Sequence, residues 1–161
     1  MDFLEKDLEE IIYNSDKKVL EENGLYLHGK LKRQLSIGSF GRTDLIEYQR
    51  PYFNPYDNLI YKGQIKIIEL KNKKIGVSTF FQALNYLEGI RRYLSNKNIE
   101  QNYNYTICLI GREIDVNSSF KFLSNNFNVD FNSFPIHFES LVNIELFQYE
   151  YNLKGLIFKE I

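Results

Sequence analysis

Residues 64–86 read QIKIIELKNKKIGVSTFFQALNY, and this stretch decides the fold that we predict for the chain. Side chains of an extended strand point alternately to its two faces, so Glu69 and Lys71 are expected on the same face as Ile65 and Ile67. Transfer of an unpaired carboxylate or ammonium group out of water costs several kcal/mol of hydration free energy. The two charged residues are therefore expected to be paired, metal-bound or catalytic.

The second half of the stretch predicts an α-helix over about residues 80–94. Ser78 or Thr79 is the expected N-cap. Gln82 and Tyr86 are four residues apart, so they are expected to share one face of this helix. The apolar residues that recur at helical spacing are Phe80, Ala83, Leu84, Leu87, Ile90 and Leu94.

Two further strands are predicted upstream of this stretch. Residues 25–37 alternate between apolar and polar side chains, which indicates a strand with one wet face and a bulge near Gly29. Residues 41–44 read GRTD and lead into a second strand over about residues 43–48. This reading places Asp44 at the beginning of the second strand.

The N-terminal residues predict a helix over residues 2–14, with Asp2 as its cap. A second short helix is expected over residues 16–22. Acidic residues of the first helix are good helix formers, and one interpretation is that all of them face solvent. These residues are Glu5, Glu9 and Glu10.

Residues 50–62 contain two prolines and many aromatic residues, and they are predicted to leave the sheet because proline interrupts a strand ladder. Their aromatic rings could stack on substrate bases or pack on the body of the protein. We favour packing, since tyrosine and phenylalanine are abundant throughout the chain. A fourth strand is predicted over residues 104–111, with a helix capped by Ser118 or Ser119 after it. Two more strand segments follow at residues 144–149 and 156–161.

The composition bounds the class of protein. Hydrophobic residues make up 43% and aromatic residues 16% of the 161 residues, which is typical of a folded chain, and we expect one domain over residues 1–161. The net charge of −1 argues against a protein that coats nucleic acid without specificity. Contact with phosphates would need local basic patches, each of which can also be a simple solvated face. The patches are Lys30, Lys32 and Arg33; Lys71, Lys73 and Lys74; and Arg91 and Arg92.

The cysteine and histidine content and the lack of a long apolar run argue against some kinds of site and location. Cys108 is the only cysteine, so we expect a buried structural thiol, with neither an intramolecular disulfide nor a thiolate zinc site. His28 and His137 form no ligand-spaced pair and are expected to be structural or surface residues. A long apolar run and a basic N-terminus are both missing, so we expect a cytoplasmic protein without a membrane partner.

Asp44 on one strand, Glu69-x-Lys71 on the next and Gln82-x-x-x-Tyr86 on the following helix resemble the PD-(D/E)xK nuclease superfamily, and the last motif resembles its RecB-like branch. The similarity extends over about residues 4–94. There the chain is similar to the catalytic domain of the mismatch-specific DNA endonucleases of archaea and actinobacteria. The matching phrases are EKDLE (5–9), ENGL (22–25), GRTDL (41–45) and IIELK (67–71).

This resemblance implies a restriction-endonuclease-like α/β core over about residues 2–112. The core consists of a helix, a three-stranded antiparallel meander, a second helix and a further strand, and a β-rich C-terminal elaboration follows over about residues 113–161. Three departures are evident. The N-terminal DNA-binding domain of that family has no counterpart in these residues, residues 50–62 look inserted, and the C-terminal third matches nothing clear. Mismatch specificity is therefore not carried over.

The resemblance also assigns roles to residues. Mg²⁺, or Mn²⁺ in its place, would be held by Asp44 and Glu69 together with an acidic residue of the first helix, which is Glu5 or, as the fallback, Glu9. The remaining catalytic residues implied are Lys71, Gln82 and Tyr86, and the residues expected to contact DNA are Arg42, Lys73 and Lys74.

The function implied is a metal-dependent DNA endonuclease. It would act alone, as a homodimer, or as a subunit of a repair, restriction or mobile-element or phage system. RNA cleavage would use the same site and stays open. The alternative is a binding or regulatory module that keeps the nuclease scaffold without turnover, because the net charge is balanced and the DNA-binding domain has no counterpart.

Overall fold

The computed structural model describes residues 4–115 and 142–161. The helices are α1 Glu5–Asn14, α2 Lys17–Glu22 and α3 Val77–Asn96, and short 3₁₀ turns cover Gly38–Phe40 and Glu100–Asn102. The strands are β1 Lys30–Arg33, β2 Leu45–Gln49, β3 Tyr52–Asn54, β4 Leu59–Tyr61, β5 Gly63–Ile75, β6 Tyr103–Ile114, β7 Val142–Asn152 and β8 Gly155–Glu160.

The fold is mixed α/β, as predicted, and its centre is a curled six-stranded sheet. The strand order is β1-β2-β5-β6-β7-β8. Strands β1, β2 and β5 pair antiparallel, as the predicted meander requires. Helix α3 then crosses over to β6, which lies parallel to β5, while β7 is parallel to β6 and β8 returns antiparallel.

Each face of the sheet packs against a different helix. Ile65 and Ile67 of β5 belong to the apolar cluster around α3, whereas Ile68 and Leu70 belong to the cluster around α1. This division follows the period-two alternation of an extended strand. Because both faces are covered, β5 and β6 are almost continuously apolar, and the predicted buried thiol of Cys108 is confirmed.

The helix starts and the first strand differ from the sequence prediction. Helix α3 begins at Val77, and its N-cap is Gly76 rather than Ser78 or Thr79. Helix α1 begins at Glu5, where the backbone N–H of Leu4 donates to Asp7 Oδ2 at 3.0 Å. The first strand is only four residues long, although the preceding leucines at positions 25 and 27 are buried. The predicted cap Asp2 lies outside the described residues.

Residues 50–62 form a separate two-stranded hairpin, in which β3 pairs with β4. The favoured interpretation that these aromatic residues pack on the body of the protein is wrong. Tyr52, Phe53 and Leu59 are each more than half exposed, and Tyr56 at the tip is 98% exposed. The prolines keep the segment out of the main sheet, as predicted, but the short strands between and after them still pair with each other.

The C-terminal strand segments predicted at residues 144–149 and 156–161 are confirmed as β7 and β8, which extend the main sheet. The predicted helix after Ser118 or Ser119 and the residue His137 lie outside the described residues. Within the described part of the chain, none of the helices has the length and apolar character that a membrane span requires.

Candidate functional site

The carboxylates of Asp44 and Glu69 lie together on neighbouring strands. Asp44 directly precedes β2, Glu69 lies within β5, and Leu45 pairs with Ile68 in the ladder that joins them. The backbone N–H of Asp44 donates to Glu69 Oε1 at 3.4 Å, and the N–H of Leu70 donates to Asp44 Oδ2 at 2.9 Å. Backbone geometry therefore holds the acidic pair in place.

Glu69 is buried and Asp44 is partly buried, and the pKa of each carboxyl group is raised. Burial raises the pKa of Glu69 to about 8, and the nearby Asp44 carboxylate adds to that effect. Burial also raises the pKa of Asp44, against the opposing effects of the Leu70 N–H and the Lys71 ammonium. Within the described residues, Glu69 Oε2 and the neighbouring Thr43 Oγ1 are buried without a hydrogen-bond partner. Such unsatisfied atoms are rare in native proteins and point to a ligand.

Lys71 lies two residues after Glu69 in β5. Its Nζ is 3.4 Å from Glu5 Oε2, and the two side chains are 26% and 42% exposed. A pair this exposed is worth little stability, because water screens it. The geometry thus brings the first residue of α1 to the edge of the carboxylate pair.

Glu9 has a different role. It is 4% exposed, so the interpretation that all acidic residues of α1 face solvent is wrong. Its Oε1 accepts from Arg33 Nε at 2.6 Å, and its Oε2 accepts from the side-chain amide of Gln34. Since both oxygens are engaged, Glu9 ties α1 to the end of β1, and Glu5 is the better placed of the two candidate ligands.

The predicted pair Gln82 and Tyr86 does share one face of α3. Gln82 Nε2 donates to Tyr86 Oη at 2.6 Å. The ring of Tyr86 is buried against Gly41, where an added Cβ would lie 2.8 Å from Cε1 of the ring. Helix α3 therefore braces the GRTD turn that carries Asp44, while the Gln82 amide is bonded to the tyrosine.

The basic candidates divide into two groups. Arg42, Lys73 and Lys74 are exposed, and Lys74 Nζ lies 3.7 Å from Asp115 Oδ1. Arg91, by contrast, is buried and paired with Glu100, and Arg33 is bonded to Glu9. The interpretation of the Arg91 and Arg92 patch as a solvated face is therefore wrong at Arg91, whereas Arg33 keeps 30% of its side chain exposed.

The carboxylates of Asp44 and Glu69 are a suitable ligand set for a divalent cation. In the described residues, no group of three or more histidine, cysteine, aspartate or glutamate side chains is arranged to hold a metal ion, so the three-acid set with Glu5 is not assembled. Mg²⁺ usually takes only one or two protein carboxylates and keeps several waters. Asp44 and Glu69 meet that requirement, with Glu69 Oε2 as the oxygen without a partner.

Sequence analysis missed a second buried charged cluster on the α1 face. Lys66 Nζ lies 2.9 Å from Glu145 Oε2 and 3.7 Å from Glu47 Oε2. Burial and Glu145 together raise the pKa of the adjacent Cys108 thiol, which makes it an inert sulfur. The signal was present, since Glu47 and Lys66 each interrupt an apolar strand, but their pairing depends on the register between β2 and β5.

The sequence matches no protein-family model, and no curated protein matches it. The geometry of the carboxylate pair and its surroundings is therefore the basis for a function.

Proposed function

We propose that this protein is a metal-dependent nuclease that hydrolyses DNA phosphodiester bonds on a restriction-endonuclease-like core. The observation that carries the proposal is the pair of the partly buried Asp44, just before β2, and the buried Glu69 in β5, with Lys71 two residues further along. The order of helix, antiparallel meander, helix and parallel strand supports the core. The same order motivated the PD-(D/E)xK resemblance.

Each residue has a role that its position supports. Mg²⁺ or Mn²⁺, held by Asp44 and Glu69, would lower the pKa of a water and neutralise charge on the scissile phosphate. Lys71 would orient the attacking water and stabilise developing negative charge. Its contact with Glu5 keeps the ammonium near the pair. Tyr86 positions the turn that carries Asp44.

The proton on Glu69 couples metal binding to pH. With a pKa of about 8, the Glu69 carboxyl is mostly protonated near neutral pH, and a cation beside it would favour the ionised form. Metal uptake would therefore release a proton. Proton release on metal binding can therefore be measured independently of cleavage.

Substrate contacts are assigned to exposed basic residues beyond the pair. Arg42 lies in the GRTD turn, and Lys73 and Lys74 lie near the end of β5, after a register shift in its pairing with β6. All three are exposed, so they can reach phosphate oxygens without loss of buried ion pairs. Whether the enzyme works alone, as a homodimer or in a repair, restriction or mobile-element system stays a prediction.

The test is incubation of the purified protein with Mg²⁺ or Mn²⁺ and single-stranded, duplex or branched DNA, with RNA in parallel. Glu69→Gln and Lys71→Met should each lower the cleavage rate by about 100-fold or more. Lys97→Met is the matched control, because Lys97 is an exposed lysine at the end of α3. Equal cleavage by the wild type and both site variants would contradict the proposal.

The alternative is a binding or regulatory module without turnover. The observation that favours it is that Lys71 contacts Glu5 and Gln82 contacts Tyr86, so neither polar group is bonded to the carboxylates. A module of this kind would show no cation binding that depends on Asp44 and Glu69. It would also leave every nucleic acid intact at all metal concentrations.

A further inference from the structure

The hairpin of β3 and β4 presents aromatic rings to solvent. The rings of Tyr52 and Tyr61 stack with their centroids 5.2 Å apart and their planes within 10°. Tyr52 is 56% exposed and Tyr61 is 39% exposed, so the stacked pair offers an outward ring face. Contiguous exposed apolar surface is one mark of an interaction site.

The tip of the hairpin is held by its own polar side chains. Asn54 Oδ1 accepts from the backbone N–H of Tyr56 at 3.0 Å, and Asp57 Oδ1 accepts from that of Leu59 at 3.1 Å. Asp57 also accepts from the Tyr61 hydroxyl. The almost fully exposed ring of Tyr56 therefore sits on a pre-organised turn, which reduces the entropy that binding would cost.

A basic cleft adjoins the base of the hairpin. Its volume is about 580 Å³, and Tyr52 is one of its lining residues together with Tyr48. The cationic lining residues are Lys17, Lys30 and Arg50, and Lys17 Nζ donates to the backbone carbonyls of His28 and Gly29. Of the described residues that line this cleft, none is acidic. Positive charge is thus concentrated here, although the whole chain carries a net charge of −1.

Glu47 is a buried acid next to the cleft, and it is not one of the lining residues. Glu47 turns inward, where it accepts from the backbone N–H groups of His28 and Gly29 and lies near Lys66. Lys32, on the edge strand β1, stacks its ammonium 5.4 Å from the ring centroid of Tyr48. The cleft therefore combines cationic groups with aromatic rings.

We propose that the hairpin and the cleft together bind an unpaired stretch of nucleic acid. Phosphates would lie against Arg50 and Lys30, and bases would stack on Tyr52 and Tyr56. Basic grooves with aromatic platforms are the general means of binding single strands, since every base has a face that can stack. Stacking on an open ring requires a base that is not already paired in a duplex.

The position of the cleft relates it to the carboxylate pair. Asp44 precedes β2 and Arg50 follows it, so the two are separated by about 20 Å at the usual rise per strand residue. That span corresponds to roughly six stacked nucleotides. Lys30 and Lys32 lie between them on the exposed edge of the sheet. That the bound strand is also the substrate rests on the proposed function, whereas the binding surface does not.

The experiment is a fluorescence anisotropy titration of a labelled oligothymidylate of about twelve nucleotides, in EDTA so that no cleavage occurs. Tyr52→Ala and Tyr56→Ala should each weaken binding by about tenfold. Tyr56→Phe should bind like the wild type, because stacking needs the ring and not the hydroxyl. Tyr93→Ala is the matched control, since Tyr93 is 58% exposed on α3 and does not line the cleft.

The dependence on salt tests the cleft separately from the rings. Arg50→Gln should reduce the slope of log affinity against log salt concentration by about 0.7. The titration in EDTA measures binding without any metal. If the wild type binds the oligonucleotide there but cleaves nothing when metal is supplied, the proposed function fails and the binding surface stands.

Three results would overturn the inference. One is equal affinity of the wild type, Tyr52→Ala and Tyr56→Ala for the oligonucleotide. Another is equal or tighter binding of a duplex of the same length. The third is a dimer of the wild type that is lost in Tyr56→Ala, while the affinity for the oligonucleotide is unchanged. A second copy of the chain would then be the partner of the hairpin.

Discussion

The backbone N–H of Asp44, just before β2, donates a hydrogen bond to the side chain of Glu69 in β5. The N–H of Asp44 lies 3.4 Å from Glu69 Oε1, and the Asp44 carboxylate is fixed by the N–H of Leu70. Burial and the proximity of the two carboxylates disfavour ionisation of both at once, because their charges repel where the dielectric constant is low. A cation bound between them would relieve this repulsion.

The first prediction concerns stability against pH in metal-free protein. The folded state holds the Glu69 proton up to a pH of about 8, whereas an unfolded chain loses it near the ordinary glutamate value. Between these values the folded state binds more protons, so the free energy of unfolding falls as pH rises. Thermal unfolding in EDTA should give a lower Tm at about pH 9 than at about pH 6.

The matched variant for this prediction is Glu69→Gln, which keeps the shape of the side chain but cannot ionise. It should remove much of the decline in Tm and should be more stable than the wild type at alkaline pH, by on the order of a few kcal/mol. An identical Tm profile for both proteins would show that Glu69 does not hold its proton as described.

The second prediction concerns the turn that carries Asp44. Gly41 has φ +108° and ψ −151°, a conformation that is essentially restricted to glycine, and its Cβ position is occupied by the Tyr86 ring. Gly41→Ala should destabilise the protein by about 1–3 kcal/mol and should also lower the cleavage rate. Gly38→Ala is the control, because Gly38 has φ +53° with open space around it. Denaturant unfolding measures the stability of both variants. Equal losses of unfolding free energy would contradict a special role for the contact between Gly41 and Tyr86.

The third prediction separates the two glutamates of α1. Glu5→Gln should leave Tm almost unchanged, because its pair with Lys71 is exposed, but it should slow cleavage, since Glu5 keeps Lys71 near the carboxylate pair. Glu9→Gln should do the reverse, since it loosens the buried contacts with Arg33 and Gln34. Tm and cleavage rates for both variants decide the matter. A drop in activity without a drop in Tm for Glu9→Gln would reverse the assignment.

The fourth prediction concerns the buried cluster on the α1 face. Lys66→Met would leave Glu47 and Glu145 without their shared cation and should cost about 3–5 kcal/mol of unfolding free energy. Combination with Glu145→Gln should recover part of that loss. Lys62→Met is the control, because Lys62 is exposed. Chemical denaturation measures all three, and a neutral Lys66→Met would mean that the acids accept protons at little cost.

Much of the fold is predictable because it depends on local periodicity. The alternation in residues 64–71 predicts which isoleucines face α3, and the same alternation puts Glu69 and Lys71 on one face. The long apolar strand that contains Cys108 predicts coverage on both sides. These patterns need no knowledge of distant contacts.

The parts that sequence analysis misjudged depend on contacts between distant segments. From the sequence, Glu9 is indistinguishable from other acidic residues that favour helices. Its burial depends on hydrogen bonds from Arg33 and Gln34, which are more than twenty positions away. The hairpin at residues 50–62 forms its own ladder, which composition alone does not separate from a loop that packs on the core. Gly76 replaces the expected side-chain cap because β5 runs directly into α3.

The most direct test of the central claim is calorimetric titration of the wild type, Asp44→Asn and Glu69→Gln with Mn²⁺ near neutral pH, in buffers of different ionisation enthalpy. The wild type should bind the cation and release a proton, and each variant should bind about tenfold more weakly or worse. Identical heats for all three proteins, or a wild type that binds nothing at millimolar Mn²⁺, would contradict the claim that this acidic pair is a metal site.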